Sequence, residues 1–199
     1  MRKQNQGRGT RRRNFTVGVI FVVLVSGLAR ALECPKPVES DPADLVQFLE
    51  AQARTADPEC VTLAIRRLGE FRSPLGIAVL VDLLDFRRPD SDAEKLHVFD
   101  AHDKFPAVSA LFGVGSPAIP DLLTKLKTRK ASPTERKNGI RAMMFIHRES
   151  PPEAIRVLKE AANAATDPQE ASQLESAARD AVAFCGEKWR VKCADEAAK

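Results

Sequence analysis

The chain has 199 residues, is 44% hydrophobic and 29% charged, and carries a formal charge of +4. That balance excludes a collagenous or low-complexity chain and fits a globular one. With 10 Gly, 3 His and no Tyr, and with no Gly-rich phosphate loop, G-x-S-x-G elbow or H-E-x-x-H pair, no familiar enzyme signature is written in it.

The first 31 residues read as a leader. Arg2, Lys3, Arg8, Arg11, Arg12 and Arg13 give a basic start, Phe15–Leu28 is an apolar run of 14, and Ala29-Arg30-Ala31 supplies an A-x-A cleavage site. A spanning helix needs roughly 20 apolar residues, so 1–31 is expected to be a cleaved signal peptide. The alternative is an inner-membrane anchor at residues 15–28. Arg12-Arg13-Asn14-Phe15 partly resembles a twin-arginine export signal, although Arg11 stands where Ser or Thr is preferred, so the export route stays open. The leader holds seven basic residues and no acid, and without it 24 basic face 27 acidic residues, a formal −3. The positive charge belongs to the leader, which removes the case for a nucleic-acid partner. The expected location is periplasmic or extracellular.

Residues 32–199 are long enough for one domain with its own core, and no Gly- or Ser-rich linker divides them. Pro42–Ala53 is expected as the first helix, with Leu45, Val46, Phe48 and Leu49 inward. Asp57-Pro58 then starts a helix whose apolar residues are Val61, Leu63, Ala64, Leu68 and Phe71, ended by Gly69 and Arg72-Ser73-Pro74. The next helix, from Ser73-Pro74, is apolar nearly all round (Leu75, Ile77, Val79, Leu80, Val81, Leu83, Leu84) and must be buried on several sides. Residues 85–105 form an insertion, with Pro106 kinking or restarting its helix. Ala107–Val114 with Pro117–Lys127, and Pro133–His147 with Pro151–Ala164, are two further pairs. Pro168–Cys185 is a final Ala-rich helix, followed by a tail at 186–199.

A Ser-Pro or Asp-Pro step opens seven of these segments: Asp41-Pro42, Asp57-Pro58, Ser73-Pro74, Ser116-Pro117, Ser132-Pro133, Ser150-Pro151 and Asp167-Pro168. Glu135, Glu153 and Glu170 stand three residues after the last three caps, the spacing of a capping box. The segments also repeat. AIRRLGEFRSPLGIAVLVDLL at Ala64–Leu84 lines up with AVSALFGVGSPAIPDLLTKL at Ala107–Leu126, and more weakly with GIRAMMFIHRESPPEAIRVLKEA at Gly139–Ala161. The steps are uneven, 43 residues from Ile65 to Val108 and 32 from Val108 to Ile140, as an insertion between copies would make them.

The Ala-x-x-x-Leu-Gly-x-x-x-Ser-Pro pattern resembles the HEAT family of helical repeats, particularly the short class of phycobilisome lyases. The resemblance covers about Asp57 to Cys185. It implies an all-α fold: a short right-handed α-solenoid of antiparallel helix pairs, about three and a half of them. It is nearly silent about activity; the fold analogy, with the missing enzyme signatures, leads to an expected protein–protein interaction or scaffold role, without catalysis. The lyase members bind bilins, but no residue here matches a pigment pocket, and no cofactor is expected.

Cys34, Cys60, Cys185 and Cys193 all follow the leader, and an even number in an exported chain favours disulfides. Three pairings are open. Cys34–Cys60 and Cys185–Cys193 are preferred because contacts in a helical stack are local; each would contribute ~2–4 kcal/mol. No CxxC spacing points to a metal. Glu94, His97, Asp100, His102 and Asp103 cluster in the insertion, at spacings that match no metal motif, so a metal-binding or enzymatic module there is the competing reading. His147 follows Met143, Met144, Phe145 and Ile146 near a helix end, where a cation suits the dipole; the Met pair is expected in the core. The expected partner surfaces are a ridge with Arg66, Arg67 and Glu70 and a basic turn with Lys125, Lys127, Arg129 and Lys130. That turn belongs to a stretch, 125–141, holding seven basic residues against Glu135. The partner is expected to be a protein.

The leader and the bridges are tested together by intact mass of the chain recovered from its native host. The expected mass starts at Leu32 and rises by about four protons on reduction; a full-length mass with free thiols would reverse both readings.

Overall fold

Every one of the seven Ser-Pro and Asp-Pro steps opens a helix. The computed structural model describes residue 34, residues 40–89 and residues 104–189. The chain divides into Met1–Arg30 and Ala31–Lys199, and all described residues belong to the second unit. That unit is all-α: α1 (Pro42–Gln52), α2 (Pro58–Phe71), α3 (Ile77–Asp82), α4 (Pro106–Val114), α5 (Ile119–Lys127), α6 (Pro133–Ile146), α7 (Pro151–Ala164) and α8 (Pro168–Trp189). Three-residue 3-10 turns, Pro74–Gly76 and Ser116–Ala118, lead into α3 and α5. No strand occurs among the described residues.

The starts follow from local chemistry. Proline at the first position loses only an N–H that would have no intrahelical partner. The residue before it offers an acceptor: Asp41 takes the amide of Asp44 at 2.9 Å, Asp57 that of Glu59 at 2.7 Å and Asp167 that of Gln169 at 2.8 Å. Of the three expected capping boxes, the one at Ser132 closes reciprocally with Glu135, through bonds of 3.1 and 2.6 Å. Ser150 makes no side-chain cap, and Glu153 turns to Arg156 instead. Glu170 turns to Lys127 at 3.2 Å. A stronger charge partner outcompetes the neutral amide of the box.

The helices stack in chain order. α2 lies on α4, α4 on α6 and α6 on α8, while α3 packs on α5 and α7 on α8. The α2–α4 crossing is the tightest. A Cβ on Gly69 would meet the Cα of Ala110 at 2.7 Å, and one on Gly113 would meet the carbonyl oxygen of Gly69 at 2.8 Å. Gly69 therefore does not end α2, as its sequence context suggests; it lies inside the helix because a neighbouring backbone needs the space. The helix ends at Phe71, with Arg72 in the left-handed region at φ 52°. Gly115, at the same offset in the second copy, also takes positive φ, at 80°.

Two apolar expectations change. Leu75 is 68% exposed, because residues 74–76 form the 3-10 turn and the buried stripe begins only at Ile77. Leu63 and Phe71 are 39% and 38% exposed, and Thr62 and Ile65 take the inward positions of α2 instead. Thr62 is buried without loss because its hydroxyl donates to the carbonyl of Pro58 at 2.8 Å. At the other end α8 continues past Cys185 through Gly186 to Trp189, so the expected tail starts as helix.

Short helices leave carbonyls without intrahelical donors at their C-termini, and side chains from other segments supply them here. Arg54 donates to Asp82 O at 3.1 Å and Asn138 to Leu84 O at 2.7 Å, both at the end of α3; Arg136 donates to Leu126 O at 3.2 Å at the end of α5. Asn138 is 1% exposed and also accepts from Arg141 at 3.1 Å.

Two glycines separate packing from propensity. Gly186 lies in α8, where an added Cβ would have nothing within 4 Å, so Gly186→Ala should stabilise by about 0.5–1 kcal/mol. Gly69→Ala should instead destabilise by about 1–3 kcal/mol, because the helices must part. Urea denaturation of both variants checks the opposite signs.

Candidate functional site

The ridge expected on α2 is present. At 100° per residue, Glu59, Cys60, Leu63, Arg66, Arg67 and Glu70 share the helix's outward arc, with Phe71 at its border. Arg67 pairs with Glu70 at 2.7 Å and holds its guanidinium 4.5 Å from the centre of the Phe71 ring. Its Nε is buried with no acceptor. Arg66 is exposed and has no ion pair among the described residues. Leu63, Phe71 and Leu75 are the large apolar side chains exposed among the described residues; Leu63 lies on this ridge, Phe71 at its border and Leu75 in the 3-10 turn that follows α2.

A disulfide leaves from the same face. Cys34 and Cys60 are bridged, with Cα atoms 5.4 Å apart. Cys60 stands one turn before Leu63, and Cys34 is exposed. Cys185 is buried and also disulfide-bonded; Cys193, its expected partner, lies outside the described residues.

The basic turn resolves into cross-links. Lys125 reaches Glu135 at 2.7 Å and Asp82 at 3.3 Å, joining α5 to α6 and α3. Burial alone would lower its pKa, but the two carboxylates outweigh burial and raise it above 10.5. For Glu135 burial acts upward, yet Lys125 and the Ser132 cap hold its carboxyl below 4.5. Lys127 pairs with Glu170. Arg136 donates to the Gln173 side chain at 3.0 Å and to its carbonyl at 2.6 Å, besides capping α5. Arg129, Lys130 and Lys137 are the exposed part of the patch.

One arrangement was not visible in the sequence. Phe112 of α4, Phe145 of α6 and Phe184 of α8 form a half-buried row, with centroids 6.4 and 6.3 Å apart and interplanar angles of 58° and 75°. Arg148 lies over Phe112 at 5.0 Å and Arg141 over Phe184 at 6.0 Å. Beside Phe184 a cleft of about 400 Å³ opens between α6 and α8, with Ile140 and Ala183 on its apolar wall and Lys137, Arg141 and Glu187 at its polar side. The three phenylalanines occupy different offsets in their helices, so no repeat signal marks them.

His147 caps α6, but not as the cation its position suggests. Its Nε2 is buried with no acceptor, and burial pushes its pKa below 6.5; Glu153 pulls it up and Arg156 pushes it down again. Met143 and Met144 are core residues. The cluster of Glu94, His97, Asp100, His102 and Asp103 lies outside the described residues. Among the described residues no three His, Cys, Asp or Glu side chains converge as a metal site. Compared with known proteins, the chain matches no protein-family model, no curated protein and no solved structure.

Because the folded pKa of His147 lies below its unfolded value of 6.5, the unfolded chain takes up the proton first as pH falls. Its contribution is therefore intact above 6.5 and is lost as pH drops through that value towards the folded pKa. Urea midpoints measured between about pH 7.5 and pH 5.5, above the carboxylate range, should fall on acidification. His147→Gln should flatten that slope.

Proposed function

We propose that the chain is an exported HEAT-like α-solenoid that acts as a protein-interaction or scaffold module and works by surface contact rather than by catalysis. The observation that carries this reading is the order of the helices. Each Ser-Pro or Asp-Pro step opens one, and the first members of successive pairs, α2, α4 and α6, lie side by side. Stacked pairs of this kind present an extended surface assembled from neighbouring repeats. The even cysteine count and the Cys34–Cys60 bridge support an oxidising compartment.

The protein partner docks, in this reading, at the α5–α6 turn and the adjoining α6–α8 cleft, where Arg129, Lys130 and Lys137 are exposed and the half-buried Phe184 offers an apolar floor. Exposed rim charges steer and select partners, and buried aromatic surface holds them. A partner with acidic side chains around an apolar anchor fits this arrangement. A second reading, a membrane-tethered adaptor, is favoured by one observation: the bridge to Cys34 joins the segment that follows the leader to the outward face of α2.

Reversing Arg129, Lys130 and Lys137 together to Glu should leave the thermal midpoint unchanged and reduce capture of the extracytoplasmic partner by about tenfold. Lys125→Gln should act the other way, lowering stability through its lost cross-links. Unchanged capture by the triple variant would remove the turn from the interface.

A further inference from the structure

We infer that the cleft between α6 and α8 is a binding site for a small monocarboxylic acid with an apolar body, its carboxylate held by Arg141 and its body resting on Phe184. The inference goes beyond the protein-partner reading and does not rest on it; a bound acid would cover the Phe184 floor that the partner uses.

The cleft's volume of about 400 Å³ lies in the range of small-ligand pockets. Two arginines of α6 line it and differ in how far they are satisfied. Arg136 is engaged on all sides, by Leu126 O, by the side chain and carbonyl of Gln173, and by Asp180 at 3.8 Å. Arg141 has one neutral acceptor, Asn138 Oδ1 at 3.1 Å. Its Nε is buried with no acceptor, and its Nη2 has none among the described residues. Burial pushes its pKa below the ordinary value, and Glu187 opposes this only through its field, with no carboxylate of the described residues at ion-pair distance. A partly desolvated guanidinium without an anion is unfavourable, and a carboxylate entering the cleft relieves it.

The guanidinium is held in place before any ligand arrives. Asn138 is 1% exposed, and its own amide is fixed to Leu84 O at 2.7 Å. A group positioned by a buried partner loses little freedom on binding.

The rest of the lining selects the class of ligand. Arg136, Lys137 and Arg141 stand against Asp180 and Glu187, so the lining carries one net positive charge. A single carboxylate balances it, whereas a dianion meets two acids and a cation meets three bases. Ile140 and Ala183 extend the apolar wall, and the Phe184 ring centre lies 6.0 Å from the Arg141 guanidinium. Charge and apolar body must therefore be close together in the ligand. Both walls are helices whose main-chain groups are bonded along the helix, so the cleft offers no ladder to an extended peptide.

The test titrates hydrocinnamate into the isotope-labelled full chain with its disulfides intact. Affinity is read from ligand-observed NMR, and the site from the Arg141 Nε–H resonance, assigned by its loss in Arg141→Lys. The expected result is a saturable shift of that resonance with Kd on the order of 1 mM or tighter. Hydrocinnamamide, which has the body without the charge, and acetate, which has the charge without the body, should each bind at least about tenfold more weakly. Arg141→Gln should weaken hydrocinnamate about tenfold. Ala183 is exposed, so Ala183→Glu should keep the thermal midpoint while its added carboxylate abolishes binding. No saturable binding, equal affinity for acid and amide, or binding that survives Ala183→Glu would overturn the inference. None of these outcomes bears on partner capture by the Arg129, Lys130 and Lys137 variant, measured without added acid, so the two readings can fail separately.

Discussion

The crossing of α2 and α4 sets the spacing on which the other helices depend. At that point Gly69 of α2 faces Ala110 and Gly113 of α4, and backbone meets backbone with no room for a β-carbon. Close approach lets Ile65 and Leu68 reach full burial alongside Val108 and Leu111. It also brings α3 and α5, which follow these two helices, within reach of one another. Interiors are packed to crystal density, so a spacing fixed at one contact propagates to its neighbours. Later crossings rely on other small residues: Gly139 sits beside Leu126 and Leu84, and α8 presents Ala177, Ala178 and Ala181 to the core.

Short helices bring a second constraint, which explains much of the charge. The α3 helix has six residues and α5 has nine, too short for propensity alone to hold them. Their terminal carbonyls take donors from Arg54, Asn138 and Arg136, and Lys125 ties both helices to Glu135 on α6. Positive groups at these ends also complement the helix dipoles. A cluster of cations that looks in one dimension like a docking patch is therefore largely a set of internal fastenings. The cations left over, Arg129, Lys130 and Lys137, lie at the turn and on the outer side of α6.

The N-terminal half of the unit differs in kind. There the bridge to Cys34 fixes the chain to α2, and the apolar side chains Leu63, Phe71 and Leu75 remain exposed. The basic turn and the outward side of α2 thus differ in chemistry, the first lying beside an aromatic cleft and the second mixing Leu63 and Phe71 with paired charges.

What the sequence determined by itself was local. Helix starts were legible because Ser-Pro and Asp-Pro act within four residues, through a cap and a missing N–H, and the all-α class followed from their number. The Cys34–Cys60 pairing, 26 residues apart, was preferred among three open ones because contacts in a helical stack are mostly between neighbouring elements. Lys125 could not be assigned from sequence, since Asp82 is 43 residues away, nor could Asn138, whose acceptor lies on Leu84. Gly69 reads as a stop signal until α4 is laid across it, Leu75 reads as core until the turn at 74–76 places it outside, and Leu63 reads as core until Thr62 and Ile65 take the inward positions of α2. The phenylalanine row of α4, α6 and α8 has no one-dimensional signature either. Hydrogen bonds of caps and turns are set by neighbouring residues, whereas side-chain burial and charge pairing depend on which distant helix arrives, and only the tertiary structure decides that.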